Sequence, residues 1–126
     1  MARTVLIDAR NVLRSTWPNI REQRLVELCC AWAERELVRA VVVFDGRAPG
    51  SVVGEQEVDA RCTVVGTGGE SADDWLIRAA FELRRGQRPF VLVTSDRELR
   101  SLAGEGAERV VGGGRFAREL LGAESA

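Results

Sequence analysis

Five of the six aspartates in this chain fall just past the ends of apolar, strand-like runs: Asp8, Asp45, Asp73, Asp74 and Asp96. Asp8 ends Thr4-Val-Leu-Ile, Asp45 ends Val41-Val-Val-Phe, and Asp96 follows Val91-Leu-Val-Thr-Ser. The Asp73-Asp74 pair opens a helix-like segment after Gly66-Thr-Gly-Gly-Glu-Ser-Ala. If these runs are parallel strands of one sheet, all five carboxylates converge on one edge, where open α/β sheets hold their ligands. Carboxylates gathered in this way repel and raise one another's pKa unless a cation neutralises them. Hard oxygen donors of this kind suit Mg²⁺ or Mn²⁺. The pattern predicts a metal-dependent acidic site, with nuclease chemistry foremost.

Each motif also has a plainer explanation. Asp8 can serve an Asx turn or cap a helix, and Asn11 can do the same. Ser71 followed three residues later by Asp74 has the form of a capping box, and acids favour a helix N-terminus. Adjacent residues on a helix point about 100° apart, so one of Asp73 and Asp74 can face a site while the other serves the helix. Glu70 adds a further carboxylate on that turn. Thr94, Ser95 or Asp96 can cap the helix that begins near residue 96. Asp45 is hardest to read as a cap, because no helical pattern follows it; it leads instead into Arg47-Ala-Pro-Gly-Ser51, an expected mobile loop. Caps alone do not explain why every one of these acids falls on the same sheet edge.

The elements that must position them alternate almost without interruption. Strands are expected at about 3–8, 40–45, 60–65, 89–94 and 108–111. Helices are expected at about 21–38, 72–85, 96–103 and 115–121. Leu25, Leu28, Cys29, Trp32 and Ala33 follow the three-to-four spacing of an apolar helical stripe. Gly86 is a favourable stop for the second helix. Apolar strands separated by helices predict an α/β fold: a three-layer α/β/α sandwich around a mainly parallel sheet of about five strands. The glycine-rich segments 46–54 and 66–69 leave strand ends and should border the site, whereas Gly112-Gly-Gly114 should only turn into the last helix.

The 126 residues suit one domain spanning 1–126. The N-terminus enters a strand pattern at once, and no apolar run approaches the roughly 20 residues of a membrane span. Cys29, Cys30 and Cys62 are odd in number and lack zinc-knuckle spacing, so buried reduced thiols are expected. A cytoplasmic protein follows from these readings, with no membrane partner. The chain has no histidine, lysine or tyrosine, and all 18 basic residues are arginine. Histidine base catalysis and His/Cys metal sites are thereby excluded. A net charge of -1 confines any nucleic-acid surface to a local patch. Arg10, Arg14, Arg47 and Arg97 fall near the acidic edge and could grip a phosphodiester backbone. Trp17 and Trp75 could stack on bases, although core or helix-packing roles are expected for both.

Four segments carry a resemblance: Ile7-Asp-Ala-Arg-Asn-Val12, Val43-Phe-Asp-Gly46, Glu70-Ser-Ala-Asp-Asp-Trp-Leu-Ile77 and Leu92-Val-Thr-Ser-Asp-Arg97. In order and spacing they resemble the motifs of NYN domains, especially the YacP-like branch, within the PIN-like nucleases. The likeness spans residues 3 to about 112. It implies a Mg²⁺- or Mn²⁺-dependent ribonuclease with an α/β/α sandwich. Asp8, Asp45, Asp73 or Asp74, and Asp96 match the family's acidic positions, and Asn11 its asparagine. Two departures stand out: Ala9-Arg10 replaces the usual Gly-Tyr, and the chain is short for the YacP-like branch.

The expected reaction is metal-dependent hydrolysis of RNA, with Asp8, Asp96 and one of Asp73 and Asp74 at the principal metal position. Asp45 and Glu70 would shape a weaker second position. Asn11, Arg10, Arg47, Thr94, Ser95 and Arg97 are the expected substrate-binding residues. RNA, structured or ribosome-bound, is the expected partner, and a protein partner or antitoxin fits the same reading. A phosphatase fits less well, since such sites present Asp-x-Asp where this chain has Asp8-Ala-Arg10. A receiver-type site or P-loop needs a lysine that the chain lacks. The alternative is a non-catalytic PIN-like module that binds RNA or protein. The change to Ala9-Arg10 favours it, and the retention of every acidic position opposes it.

Overall fold

The structure, a computed structural model, describes residues 2–125, with side chains through Gly122. In chain order the elements are β1 (Thr4–Asp8), α1 (Ala9–Arg14), α2 (Glu22–Glu36), β2 (Arg39–Phe44), β3 (Gly54–Asp59) and β4 (Cys62–Gly66). They continue with α3 (Ala72–Arg85), β5 (Phe90–Val93), α4 (Arg97–Ala103), β6 (Arg109–Val111) and α5 (Gly113–Ser125). The sheet order is β3-β4-β2-β1-β5-β6. All pairings are parallel except β3 with β4.

The apolar strands are buried on both faces, as continuous Val/Ile/Leu runs require. Val5, Ile7, Val42, Val64 and Val93 face α1, α2 and α5, whereas Leu6, Val41, Val43, Val65 and Leu92 face α3 and α4. The period-two alternation of each strand therefore builds two cores, one on each side of the sheet. After β1 the chain works outward through β2 to β4, then returns to place β5 on the other side of β1. That reversal leaves a crevice above the C-terminal ends of β1 and β5.

Six strands form where about five were expected. The additional strand, β3, is exposed along its length and carries Glu55, Gln56, Glu57 and Asp59. Such residues are poor strand formers and show no apolar alternation. Pairing with β4 makes the strand, across a turn in which Asp59 Oδ1 accepts from the Arg61 N–H at 3.0 Å. The expected strand at 60–65 starts later for the same reason. The six-residue helix α1 was also unforeseen, being too short to show a period.

The cysteines differ from expectation as well. Cys30 and Cys62 form a disulfide, with Cα atoms 5.3 Å apart, because α2 packs across β4. Cys29 is free and buried, and burial pushes its thiol pKa up to about 12. The bridge removes the cysteine argument for a reducing compartment. Among the described residues no helix is long and apolar enough to cross a membrane.

The loop at 47–51, expected to be mobile, is tied down. Ala48 and Val52 exchange backbone hydrogen bonds of 2.9 and 3.2 Å, and the Gly68 N–H donates to the Gly46 carbonyl at 2.9 Å. This loop lies against Gly66 so closely that a Cβ there would overlap the Val52 carbonyl and crowd Ala48 N and Gly46 O. All three neighbours are backbone atoms and cannot rotate away. Gly66→Ala is therefore expected to destabilise the fold by roughly 1–3 kcal/mol, in the range of overpacked cores. Urea unfolding should show a lower midpoint with an unchanged m value.

Candidate active site

β1 delivers Asp8 to the crevice between β2 and β5, where only 6% of the residue remains exposed. Its Oδ2 accepts the Thr94 hydroxyl at 3.0 Å, and its Oδ1 accepts the Asn11 N–H at 3.5 Å. Burial raises the Asp8 carboxyl pKa above the ordinary aspartate value. The two hydrogen bonds oppose that rise, while the charges of Asp45 and Asp96 add to it. Thr94 is itself fully buried, and its oxygen accepts the Asp96 N–H at 3.2 Å. One hydroxyl thus couples the end of β1 to the start of α4.

The other aspartates arrive from three further places. Asp96 caps α4 by accepting the Leu99 N–H at 2.9 Å. Asp45 accepts the Ala72 N–H at 2.8 Å, so it caps α3 from across the crevice. No helix follows Asp45 in sequence, and for that reason this cap was not anticipated. Its other oxygen lies 3.7 Å from Arg10 Nε. At α3 itself the Ser71 hydroxyl accepts the Asp74 N–H at 3.0 Å.

The Asp73–Asp74 pair divides as helical geometry requires. Asp73 lines the pocket, and its pKa is raised by desolvation first, then by Asp8, Asp96 and Asp45. Asp74 does not line it, and its charge acts on Arg78 one turn along α3. Glu70 is also turned away, engaged in an ion pair with Arg78.

Asp8, Asp45, Asp73 and Asp96 together line a pocket of about 230 Å³, joined by Arg10, Asn11, Arg14 and Ser71. Among the described residues no three acidic, histidine or cysteine side chains stand close enough to hold a metal ion as they are. The aspartates surround a space rather than a closed coordination shell. Their chemistry nevertheless fits a hard divalent cation. The donors are all oxygen, and two of them carry pKa values raised by burial and mutual repulsion, which a cation would relieve.

The expected substrate-binding residues separate into three groups. Arg10 and Asn11 line the pocket. Thr94 and Ser95 are structural ties: Ser95 N–H donates to Asn11 Oδ1 at 2.9 Å, and Ser95 Oγ accepts the Gly113 N–H at 2.8 Å. Arg47 and Arg97 are exposed but do not line the pocket. Arg14 does line it, one helical turn from Arg10, a spacing visible only once α1 is known. Gly113 does more than turn the chain, since a Cβ there would overlap Asn11 Oδ1. Trp75 packs against the α3-side core as expected, but Trp17 is 86% exposed and packs no helix.

Comparison with known proteins bears on the fold and the family. No curated protein matches the chain. Two solved structures share its fold, both of Rae1 (YacP) from Bacillus subtilis. The first has 23% identity and a TM-score of 0.71, covering 99% of this chain and 76% of that one. The second, a W164L mutant, has 21% identity and a TM-score of 0.72, covering 98% of this chain and 77% of the other. A family model described as the YacP-like NYN domain matches residues 5–124. The chain belongs to the YacP-like NYN domain family, within the PIN-like nucleases.

Proposed function

We propose that this protein is a Mg²⁺- or Mn²⁺-dependent ribonuclease acting at the pocket lined by Asp8, Asp45, Asp73 and Asp96. One observation carries the reading: four aspartates from four separate segments line a single pocket at the C-terminal edge of the parallel strands. Family membership supplies the reaction class. Asp8, Asp73 and Asp96 would hold the cation, with Asp45 at its margin. When bound, it would neutralise the carboxylates and polarise a phosphoryl oxygen.

The remaining groups bind and orient. Asn11 Oδ1 is taken by the Ser95 N–H, which leaves its Nδ2 donors for a phosphate oxygen. Arg10 and Arg14 present two guanidinium groups from one helix face, suited to bidentate phosphate contact. The Arg10–Asp45 pair is long, with 59% of the Arg10 side chain exposed, so phosphate can displace it at little cost. Thr94 holds the Asp8 carboxylate in place from below.

Asp96→Asn keeps an α4 cap but removes the charge. Cleavage of RNA by Asp96→Asn, and by Asp73→Asn, should fall roughly 100-fold or more, since even supporting groups at metal sites are worth about 10–100-fold. Asp74→Asn should retain most activity. Wild-type activity should be lost in EDTA and return on titration with Mg²⁺ or Mn²⁺. Metal-independent cleavage by Asp96→Asn contradicts the scheme; RNA binding without any wild-type cleavage favours the non-catalytic alternative.

The same site makes a stability prediction for metal-free protein. The folded-state pKa of Asp8 is raised, so its ionised form opposes folding. That penalty is complete above the raised folded value and absent below the unfolded value, roughly pH 4. Asp8→Asn loses one acceptor at any pH, but its Tm relative to wild type should be more favourable at neutral pH and should decline as pH falls through that window. A gain in Tm that grows toward low pH would contradict the assigned sign.

A further inference from the structure

We infer that Trp17, with Arg14 and Arg118, forms a nucleobase-binding subsite beside the acidic pocket. It takes an unstacked base of the strand whose phosphate occupies that pocket. This rests on the nuclease reading above. Trp17 is the most exposed of the large apolar side chains, at 86%. It follows Arg14 by three residues, so their Cα atoms lie within about 11 Å of each other. Arg14 lines the pocket and ends α1, so the segment that carries Trp17 leaves from the pocket's rim. Arg118 on α5 lies beside the same segment: a Cβ at Gly114 would lie 3.8 Å from both Arg118 Nη1 and Ser15 Cβ. Among the described residues neither Arg14 nor Arg118 has an ion-pair partner.

Electrostatics explains why such a subsite is needed. A phosphodiester approaching four aspartates is repelled unless cationic groups flank its path. Two unpaired guanidinium groups supply that flank on the Trp17 side. An exposed indole then adds a sequence-tolerant stacking platform. Bases within a duplex are stacked internally and are not free to use it.

The test is fluorescence titration in EDTA with a short single-stranded oligoadenylate and, separately, a paired RNA duplex. The single strand should quench tryptophan emission in wild type. Trp17→Ala should abolish most of that quenching and weaken binding roughly 10-fold, within the range of about 1–3 kcal/mol per stacked base. Trp17→Phe should restore most of the affinity, and Arg14→Gln should flatten the salt dependence of binding. Duplex affinity should be indifferent to Trp17. Unchanged single-strand affinity and quenching in Trp17→Ala overturn the subsite alone, provided that wild type cleaves RNA and Asp73→Asn does not. A wild-type protein that neither binds nor cleaves RNA overturns the subsite and the nuclease reading together.

Discussion

The hydrogen bond from the Thr94 hydroxyl to the buried Asp8 carboxylate organises the rest of the site. A carboxylate at the end of a central strand is costly to bury without partners. Here it sits where the strand order reverses, and Thr94 reaches it from just past the end of β5 at 3.0 Å. The same hydroxyl oxygen receives the Asp96 N–H, which fixes where α4 begins. A second thread runs beside the first, from Asn11 through Ser95 to Gly113, and fixes where α5 begins. Two helices and two strands thus take their relative positions from polar contacts around one carboxylate.

Capping and pocket-lining positions, which compete when each aspartate is considered alone, coincide in the folded chain. Asp8 caps α1, Asp96 caps α4 and Asp45 caps α3 at Ala72. Each also lines the pocket. Three helices therefore start at the acidic edge, and their N-terminal N–H groups moderate the repulsion among the carboxylates. The arrangement holds acids together without fully discharging them, as the raised pKa values of Asp8 and Asp73 indicate. On the proposed reading, cation affinity gained in this way costs some stability of the metal-free protein.

Legibility in the sequence followed physical scale. Long apolar runs announced β1, β2, β4 and β5, because burial on both faces leaves no polar position to blur the signal. Ser71 and Gly86 marked the ends of α3, since capping is local chemistry. What depended on distant partners stayed hidden. β3 exists only by pairing with β4, and the Asp45 cap belongs to a helix that begins 27 residues later. The separation of Asp73 from Asp74 was foreseeable as geometry, but which one faces the pocket was not. Arg14 was placed near the edge, yet its shared face with Arg10 awaited α1. Trp17 was misjudged because an indole in sequence signals burial far more often than exposure.

The central claim is that these four aspartates enclose a cation site. Crystals soaked in Mn²⁺ and measured for anomalous scattering test it most directly. The account predicts a peak within coordination distance of Asp8, Asp73 and Asp96 carboxylate oxygens, and its loss in Asp73→Asn. A peak confined to surface acids such as Glu55 and Glu57, or one that persists unchanged in Asp73→Asn, would contradict it.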